Sequence, residues 1–214
     1  AALPPEPTRL SYRRPEFQDL NAWRREARDA YRRALLQPGS GGVPKATLQH
    51  KLTYDGLEIE HLTWQLPYGP PTEAVLLKPA AAKGPLPGVI ALHDHGGNKY
   101  FGLRKITRIS NDIHPLMREH QDHYYAGTAW ANELAKRGYV VLVHDTFLFG
   151  SRRVRSGDLP DIIKRGHDIA EVNPESPDEI KRYNAFAGNH EHLVAKSLFC
   201  ACTTWPVVFS SDDQ

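Results

Sequence analysis

Two short apolar runs constrain what this chain folds into. Pro87-Gly88-Val89-Ile90-Ala91-Leu92 is bounded by proline and glycine and runs into His93-Asp94-His95-Gly96-Gly97-Asn98. Further on, Tyr139-Val140-Val141-Leu142-Val143-His144-Asp145 follows a stretch, 128–137, in which Trp130, Leu134 and Ala135 share one helical face and Gly138 is the stop. Uninterrupted apolar runs of this length are the pattern of strands covered on both faces, as in a parallel sheet. Strand, helix and strand in this order make a right-handed βαβ crossover. The expectation is an α/β fold with a mostly parallel sheet in which the 87–92 strand is central. Ligands of such sheets bind beyond the carboxyl ends of the strands, which puts the loop after Leu92 at the candidate active site. Gly96 and Gly97 let backbone N–H groups approach a ligand with no Cβ in the way.

Upstream, Phe17, Leu20, Trp23, Ala27, Tyr31, Ala34 and Leu35 recur at three- and four-residue steps, which predicts a helix over 15–37 stopped by Pro38-Gly39. A Gly/Pro/Ser loop over 38–46 leads to two strands, 57–66 and 73–78, paired antiparallel through Pro67-Tyr68-Gly69-Pro70-Pro71. Residues 99–127 are polar and rich in His and Arg, and irregular segments of that length are often functional. Residues 147–173 read as irregular too. Ser176-Pro177-Asp178-Glu179 supplies a cap, a first-turn proline and a capping-box glutamate to a helix with Ile180, Tyr183, Ala187, Val194, Leu198 and Ala201 on its stripe. Ser211-Asp212-Asp213-Gln214 repeats the capping pattern and is expected to start a further helix.

Charge and composition narrow the function classes. Apolar residues make up 40% of the chain, enough for a core, and Lys+Arg 27 against Asp+Glu 25 leaves a net charge of +2. No basic stripe of the kind that binds nucleic acid is present. Arg24, Arg25, Arg28, Arg32 and Arg33 are interleaved with Glu26 and Asp29, the pattern of a solvated helix face. No run approaches the roughly 20 apolar residues of a membrane span, and Ala1-Ala2-Leu3-Pro4-Pro5 has neither the charge nor the length of a signal peptide. Cys200 and Cys202, one residue apart, are expected as buried, unpaired helix residues in a reducing compartment, with a reactive thiol or a metal ligand as the alternative. That reading is cytoplasmic, with a mature secreted form as the alternative.

Four stretches together resemble the α/β-hydrolase fold, and within it the dienelactone-hydrolase-like and acetyl-xylan-esterase-like enzymes. They are residues 88–97, residues 138–145, Phe149-Gly150-Ser151-Arg152-Arg153 and Glu191-His192-Leu193-Val194-Ala195-Lys196. The N-terminal helix and strand pair are also what that group places ahead of its first parallel strand. The resemblance implies 1–46 as a helical extension and 47–214 as the N-terminal part of the hydrolase domain. It implies a serine-dependent carboxylic-ester hydrolase with a small-molecule or carbohydrate ester as substrate, and no cofactor. In that family the loop after the first parallel strand supplies an oxyanion-hole N–H. Carried over, this is the backbone amide of His95, with Gly96 as the alternative, while His93, Asp94 and Gly97 support the loop. Asp145 stands near the implied site or simply caps the turn that follows it. Residues 99–127 and 147–173 are expected to shape the acyl or leaving-group pocket.

The family nucleophile is a Ser in G-x-S-x-G, followed by an acid and a His, and no G-x-S-x-G occurs here. Ser40 in Gly39-Ser40-Gly41-Gly42 has the wrong spacing and no strand before it, and Ser151 lacks the second glycine. The resemblance therefore implies that nucleophile, acid and base lie beyond Gln214 or on a partner chain. It also implies that a sheet ending at 139–145 has an exposed edge, and that these residues alone are inactive.

Two other readings stay open. His93-x-His95 at a strand end resembles the first ligand pair of a metal-dependent hydrolase, with His114, His120, His123, His144 and Asp145 as further ligands. Against it, Gly96-Gly97 suits close backbone approach better than ligation. Asn189-His190-Glu191-His192-Leu193 does not complete H-E-x-x-H, because position 194 is Val194. The third reading is a non-catalytic binding or assembly module, favoured by the absent nucleophile and disfavoured by the conformationally demanding glycine pair.

Overall fold

The computed structural model describes residues 6–35, 42–164 and 176–212. By their contacts they divide into two compact units, one of residues 42–194 and one of residues 6–35 with 195–212.

The larger unit holds a five-stranded sheet of order β1-β2-β3-β5-β4. Its strands are β1 (Thr47–Tyr54), β2 (Leu57–Trp64), β3 (Thr72–Pro79), β4 (Gly88–Ala91) and β5 (Val140–His144). β1, β2, β3 and β5 pair antiparallel in that order, and β4 pairs parallel with β5, Gly88 opposite Val140 and Ala91 opposite Val143. β1 and β2 form a hairpin across Asp55 and Gly56, whose φ angles of 51° and 78° belong to a tight two-residue turn. Along β2, Leu57 and Ile59 face the core while Glu58 and Glu60 face outward to Lys51 and Lys78 on the flanking strands. Helix α3 (Trp130–Lys136) lays the fully buried Ala131 and Ala135 against the sheet, onto Val75, Leu77, Val141 and Val143. Small side chains on that face let the helix pack closely on the branched residues of the strands.

Several expectations need correction. β4 is an edge strand rather than a central one, and β5 lies inside the sheet between β3 and β4. The edge next to the parallel pair therefore runs along β4 and not beyond 139–145, and Ile90 and Leu92, 57% and 46% exposed, leave the face around it uncovered. β1 carries no apolar alternation in the sequence, because most of its side chains are exposed. The 99–127 segment is not irregular. It forms a 3₁₀ turn at Leu103–Lys105 and helix α2 (Pro115–Tyr125). The His114 ring accepts the Leu116 N–H at the start of α2, and Ala126, left-handed at φ 51°, ends it. Between 147 and 164 lie two 3₁₀ turns, Gly150–Arg152 and Ser156–Asp158, and the short helix α4 (Asp161–Lys164).

The helix from Pro177 is interrupted at His190 into α5 (Pro177–Asn189) and α6 (Glu191–Cys200). Ser176 holds the cap position of α5 as expected, but its side chain makes no capping bond. Ile180, Tyr183 and Phe186 of α5 pack with Tyr100, Phe101, Leu116 and Met117 in a second core. In the smaller unit, α1 (Leu20–Leu35) turns a half-buried stripe of Trp23, Ala27 and Ala30 inward and leaves its arginines in solvent. Trp23 Nε1 donates to the Leu10 carbonyl at 2.8 Å. Helix α7 (Trp205–Asp212) ends at the residues expected to start a helix, and it buries Val207 and Val208. Thr204 Oγ1, just ahead of it, donates to the Leu35 carbonyl at 3.0 Å. Cys200 and Cys202 are exposed free thiols rather than buried ones. Among the described residues no helix is long and apolar enough to cross a membrane.

Candidate active site

The chain leaves β4 at Ala91 and turns sharply over residues 93–98, with Gly96 and Gly97 both left-handed at φ of 46° and 66°. Each side chain of this loop is tied to a different part of the larger unit. His93 is half-buried, and its Nδ1 lies 3.1 Å from the Asp94 carbonyl. Its Nε2 takes the Thr146 amide at 3.4 Å and lies 3.3 Å from the Thr146 hydroxyl. Burial first, and then the neighbouring Lys105 charge, push the His93 imidazole down to about 4, so it is neutral at physiological pH.

Asp94 turns toward α2. Its Oδ1 accepts from His120 Nε2 at 3.0 Å and from the Tyr125 hydroxyl in a short hydrogen bond. Burial works against the ionised carboxylate, but the hydrogen bonds from His120 and Tyr125, with the Lys105 charge, outweigh it and hold the group well below the usual carboxylate range. A Cβ on Gly96 would stand 2.2 Å from Asp94 Oδ2 and 2.5 Å from His120 Cε1. Position 96 is therefore closed to other residues by space as well as by conformation. Around Gly97 a Cβ would meet nothing within 4 Å, so only its backbone angle calls for glycine there.

His95 points to the surface side of the loop. Its Nδ1 accepts the Gly97 N–H at 3.2 Å, which leaves the proton on Nε2, and Nε2 reaches Glu191 Oε1 at 2.7 Å. The same Glu191 oxygen holds Lys99 Nζ at 2.5 Å, and that lysine side chain is only 2% exposed. The ring of Phe149 lies beneath both cations, 4.5 Å from Lys99 Nζ and 4.3 Å from Lys105 Nζ. Asn98 Oδ1 accepts from Asn184 on α5 at 2.8 Å, which anchors the far end of the loop.

Lys105 sits under the loop. Its Nζ donates to the Asp94 carbonyl at 2.8 Å and to the His95 carbonyl at 2.9 Å. Burial, opposed by Asp94 and reinforced by Lys99, brings its amine down to about 7. Asn98 N–H turns back to the His95 carbonyl at 3.3 Å and Gly97 N–H is held by the His95 ring. The amides of His95 and Gly96 have no hydrogen-bond partner among the described residues.

Asp145 at the end of β5 serves the scaffold. It is 3% exposed, and its carboxylate accepts the Leu103 amide at 2.6 Å and the Ser151 amide at 2.7 Å, fastening both 3₁₀ turns to the sheet. Burial raises the pKa of this carboxyl, and the two amides work against that rise. Ser151 Oγ is 2.9 Å from the Glu73 amide, from which it accepts, and Ser40 lies outside the described residues. The ring nitrogens of His93 and His95 are turned to separate protein partners, and His144 Nδ1 faces the Asp145 carbonyl. His120 belongs to Asp94, His114 caps α2, and His123 packs edge-on against Tyr124, so these histidines do not converge on one point. Among the described residues no three His, Cys, Asp or Glu side chains are arranged to hold a metal ion. Lys105, Tyr125, Thr146 and the pairing of Glu191 with His95 were missed in the sequence. Nothing marks Lys105 within a polar segment, and Glu191 is 96 residues away from His95.

No family model matches the sequence, and no curated protein does. Among solved structures, one assigned as an acetyl xylan esterase from Bacteroides fragilis NCTC 9343 superposes with a TM-score of 0.58 at 17% identity, covering 90% of this chain and 41% of that one. A glucuronoyl esterase from Solibacter usitatus gives 0.37 at 14% identity over 60% of this chain and 37% of its own. Acetyl xylan esterase 1 from Thermoanaerobacterium sp. JW/SL YS485 gives 0.32 at 17% identity over 78% and 44%. Only the first overlap is extensive enough to bear on the fold, and the chain spans less than half of that esterase's length. The mixed sheet, with its antiparallel β1–β3, its parallel β4–β5 pair and its glycine loop at the carboxyl end of β4, is of the α/β-hydrolase type.

Proposed function

We propose that these residues carry the oxyanion-binding part of a serine-dependent carboxylic-ester hydrolase, an acetyl esterase or dienelactone-hydrolase-like enzyme acting on a small or carbohydrate ester. The observation that carries this reading is the pair of consecutive unpartnered amides, His95 and Gly96, at the carboxyl end of β4. Successive N–H groups around a left-handed glycine form a concavity suited to an anion. Donors fixed before charge develops lower an acyl-transfer barrier by about 3–4 kcal/mol each. In this reading a Ser attacks the acyl carbonyl, a His carries its proton to the leaving alcohol, and the carbonyl oxygen turns negative against the two amides.

In this reading Ser151 is not that Ser: it stands in no G-x-S-x-G, and its Oγ accepts the Glu73 amide. The nucleophile, its acid and its base come from outside these residues, on further chain or on a partner chain. The edge of β4, with Ile90 and Leu92 exposed, is where the strand that brings them would pair. The structural likeness to an assigned acetyl xylan esterase supports the carbohydrate-ester side of the proposal.

The test is hydrolysis of p-nitrophenyl acetate, first by the 214-residue chain and then by the product of the reading frame continued past Gln214. The expected result is no turnover above buffer for the first, and phenylmethylsulfonyl-fluoride-sensitive turnover for the second. Serine-dependent hydrolysis at an ordinary esterase rate by the 214 residues alone would refute the division of the site.

A further inference from the structure

We infer that Lys105 is the positioning residue of the oxyanion site, its ammonium drawing two consecutive peptide carbonyls to one side so that the His95 and Gly96 amides face the other. The inference rests on the esterase reading of the loop and names the group that sets its geometry. The carbonyls of Asp94 and His95 both accept from Lys105 Nζ, at 2.8 and 2.9 Å. Both peptides are trans, and in a trans peptide the C=O of one residue and the N–H of the next point in opposite directions. Fixing the Asp94 and His95 carbonyls on Lys105 therefore fixes the His95 and Gly96 N–H groups away from it, side by side.

A cation on a carbonyl oxygen also polarises its peptide and makes the N–H a stronger donor. Lys105 thus sets both the direction and the strength of the two amides from behind. It is fully buried, so it touches no substrate and acts only through the peptides. The charged and titratable groups around it are Asp94 and His93 from the loop, Lys99 beyond it, and Asp145 from the end of β5, with the Phe149 ring against its amine. Burial leaves its amine close to neutrality in pKa, at about 7. The ammonium is thus a switchable charge under the site.

The experiment is amide NMR on the 214-residue chain with isotope-labelled lysine, read from pH 6 to pH 8.5 in the wild type and in Lys105→Met. In the wild type, the His95 and Gly96 amides are expected to exchange rapidly with solvent. Their shifts should move with the midpoint read at the Lys105 side chain, and more than those of Gly97 and Asn98. In Lys105→Met that pH-linked movement disappears while signals from β2 and β3 stay in place. Rapidly exchanging amides that ignore the Lys105 midpoint, or that keep their pH response in Lys105→Met, overturn the role of Lys105 and leave the esterase reading standing. Protected His95 and Gly96 amides overturn the esterase reading itself. Should Lys105→Met fail to fold, the wild-type titration decides alone, because the lysine midpoint is observed directly.

Discussion

Asp145→Ala is expected to cost about 4 kcal/mol of unfolding free energy. Among the described residues the carboxylate is the acceptor for two amides, Leu103, half-buried, at 2.6 Å and Ser151, buried, at 2.7 Å. Each amide left without a partner costs about 1–3 kcal/mol, and the missing carboxylate leaves a void besides. Its surroundings are built to that carboxylate. A Cβ on Gly102 would stand 2.0 Å from Asp145 Oδ1, and one on Gly150 would stand 2.3 Å from Oδ2. Denaturant unfolding followed by far-UV circular dichroism measures the loss. A change below about 1 kcal/mol, the value of an ordinary surface substitution or a single weak bond, contradicts the role assigned to Asp145.

The second large effect separates the two glycines of the loop. Gly96→Ala is expected to destabilise by about 3 kcal/mol, combining left-handed strain with overpacking. The new methyl would lie 2.2 Å from Asp94 Oδ2, and that carboxylate cannot swing aside while His120 and Tyr125 hold its other oxygen. Gly97→Ala meets open space and keeps only the strain of its φ of 66°, about 1 kcal/mol. Unfolding midpoints of the two variants, compared under the same conditions, give the difference. Equal midpoints would mean that Asp94 is not fixed as described and that the loop is free to adjust.

The fold class was legible in the sequence because two apolar runs bounded by glycine and proline admit few interpretations. β4, α3 and β5 lie where those runs place them, and β5 pairs parallel with β4. What the runs do not carry is lateral order. A strand covered on one side and free on the other reads much like a central one, and so β4 was expected inside the sheet. β1 escaped notice because sheet membership there is set by pairing to β2 rather than by burial, although Asp55-Gly56 between two strand-like segments is a hairpin signal. Helix α2 was hidden by its polar surface, since only Leu116, Met117, His120 and Gln121 of it are buried.

The sequence singles out the loop after β4 as the candidate site because two glycines following an apolar run point to close backbone approach. Its internal wiring is not legible there. The partners of the loop come from positions far along the chain, such as Lys105, His120, Tyr125, Thr146 and Glu191, and no local pattern links them to His93, Asp94 and His95. The imidazoles that looked available for a metal face separate partners, and His123 stands exposed beside Tyr124, which becomes visible only once the chain is folded. Asp145, weighed as a site residue or a capping one, spends its carboxylate on the turns.

In the esterase reading the His95 and Gly96 amides receive the negative oxygen of acyl transfer. The most direct measurement of this is a crystal structure of the nucleophile-bearing protein after reaction with a p-nitrophenyl phosphonate, whose phosphonyl oxygen stands where the oxyanion forms. That oxygen is expected at about 2.7–3.1 Å from the nitrogens of His95 and Gly96, with Lys105 still on the opposite carbonyls. A phosphonyl oxygen held by other donors, with these two amides facing solvent or protein, would contradict it.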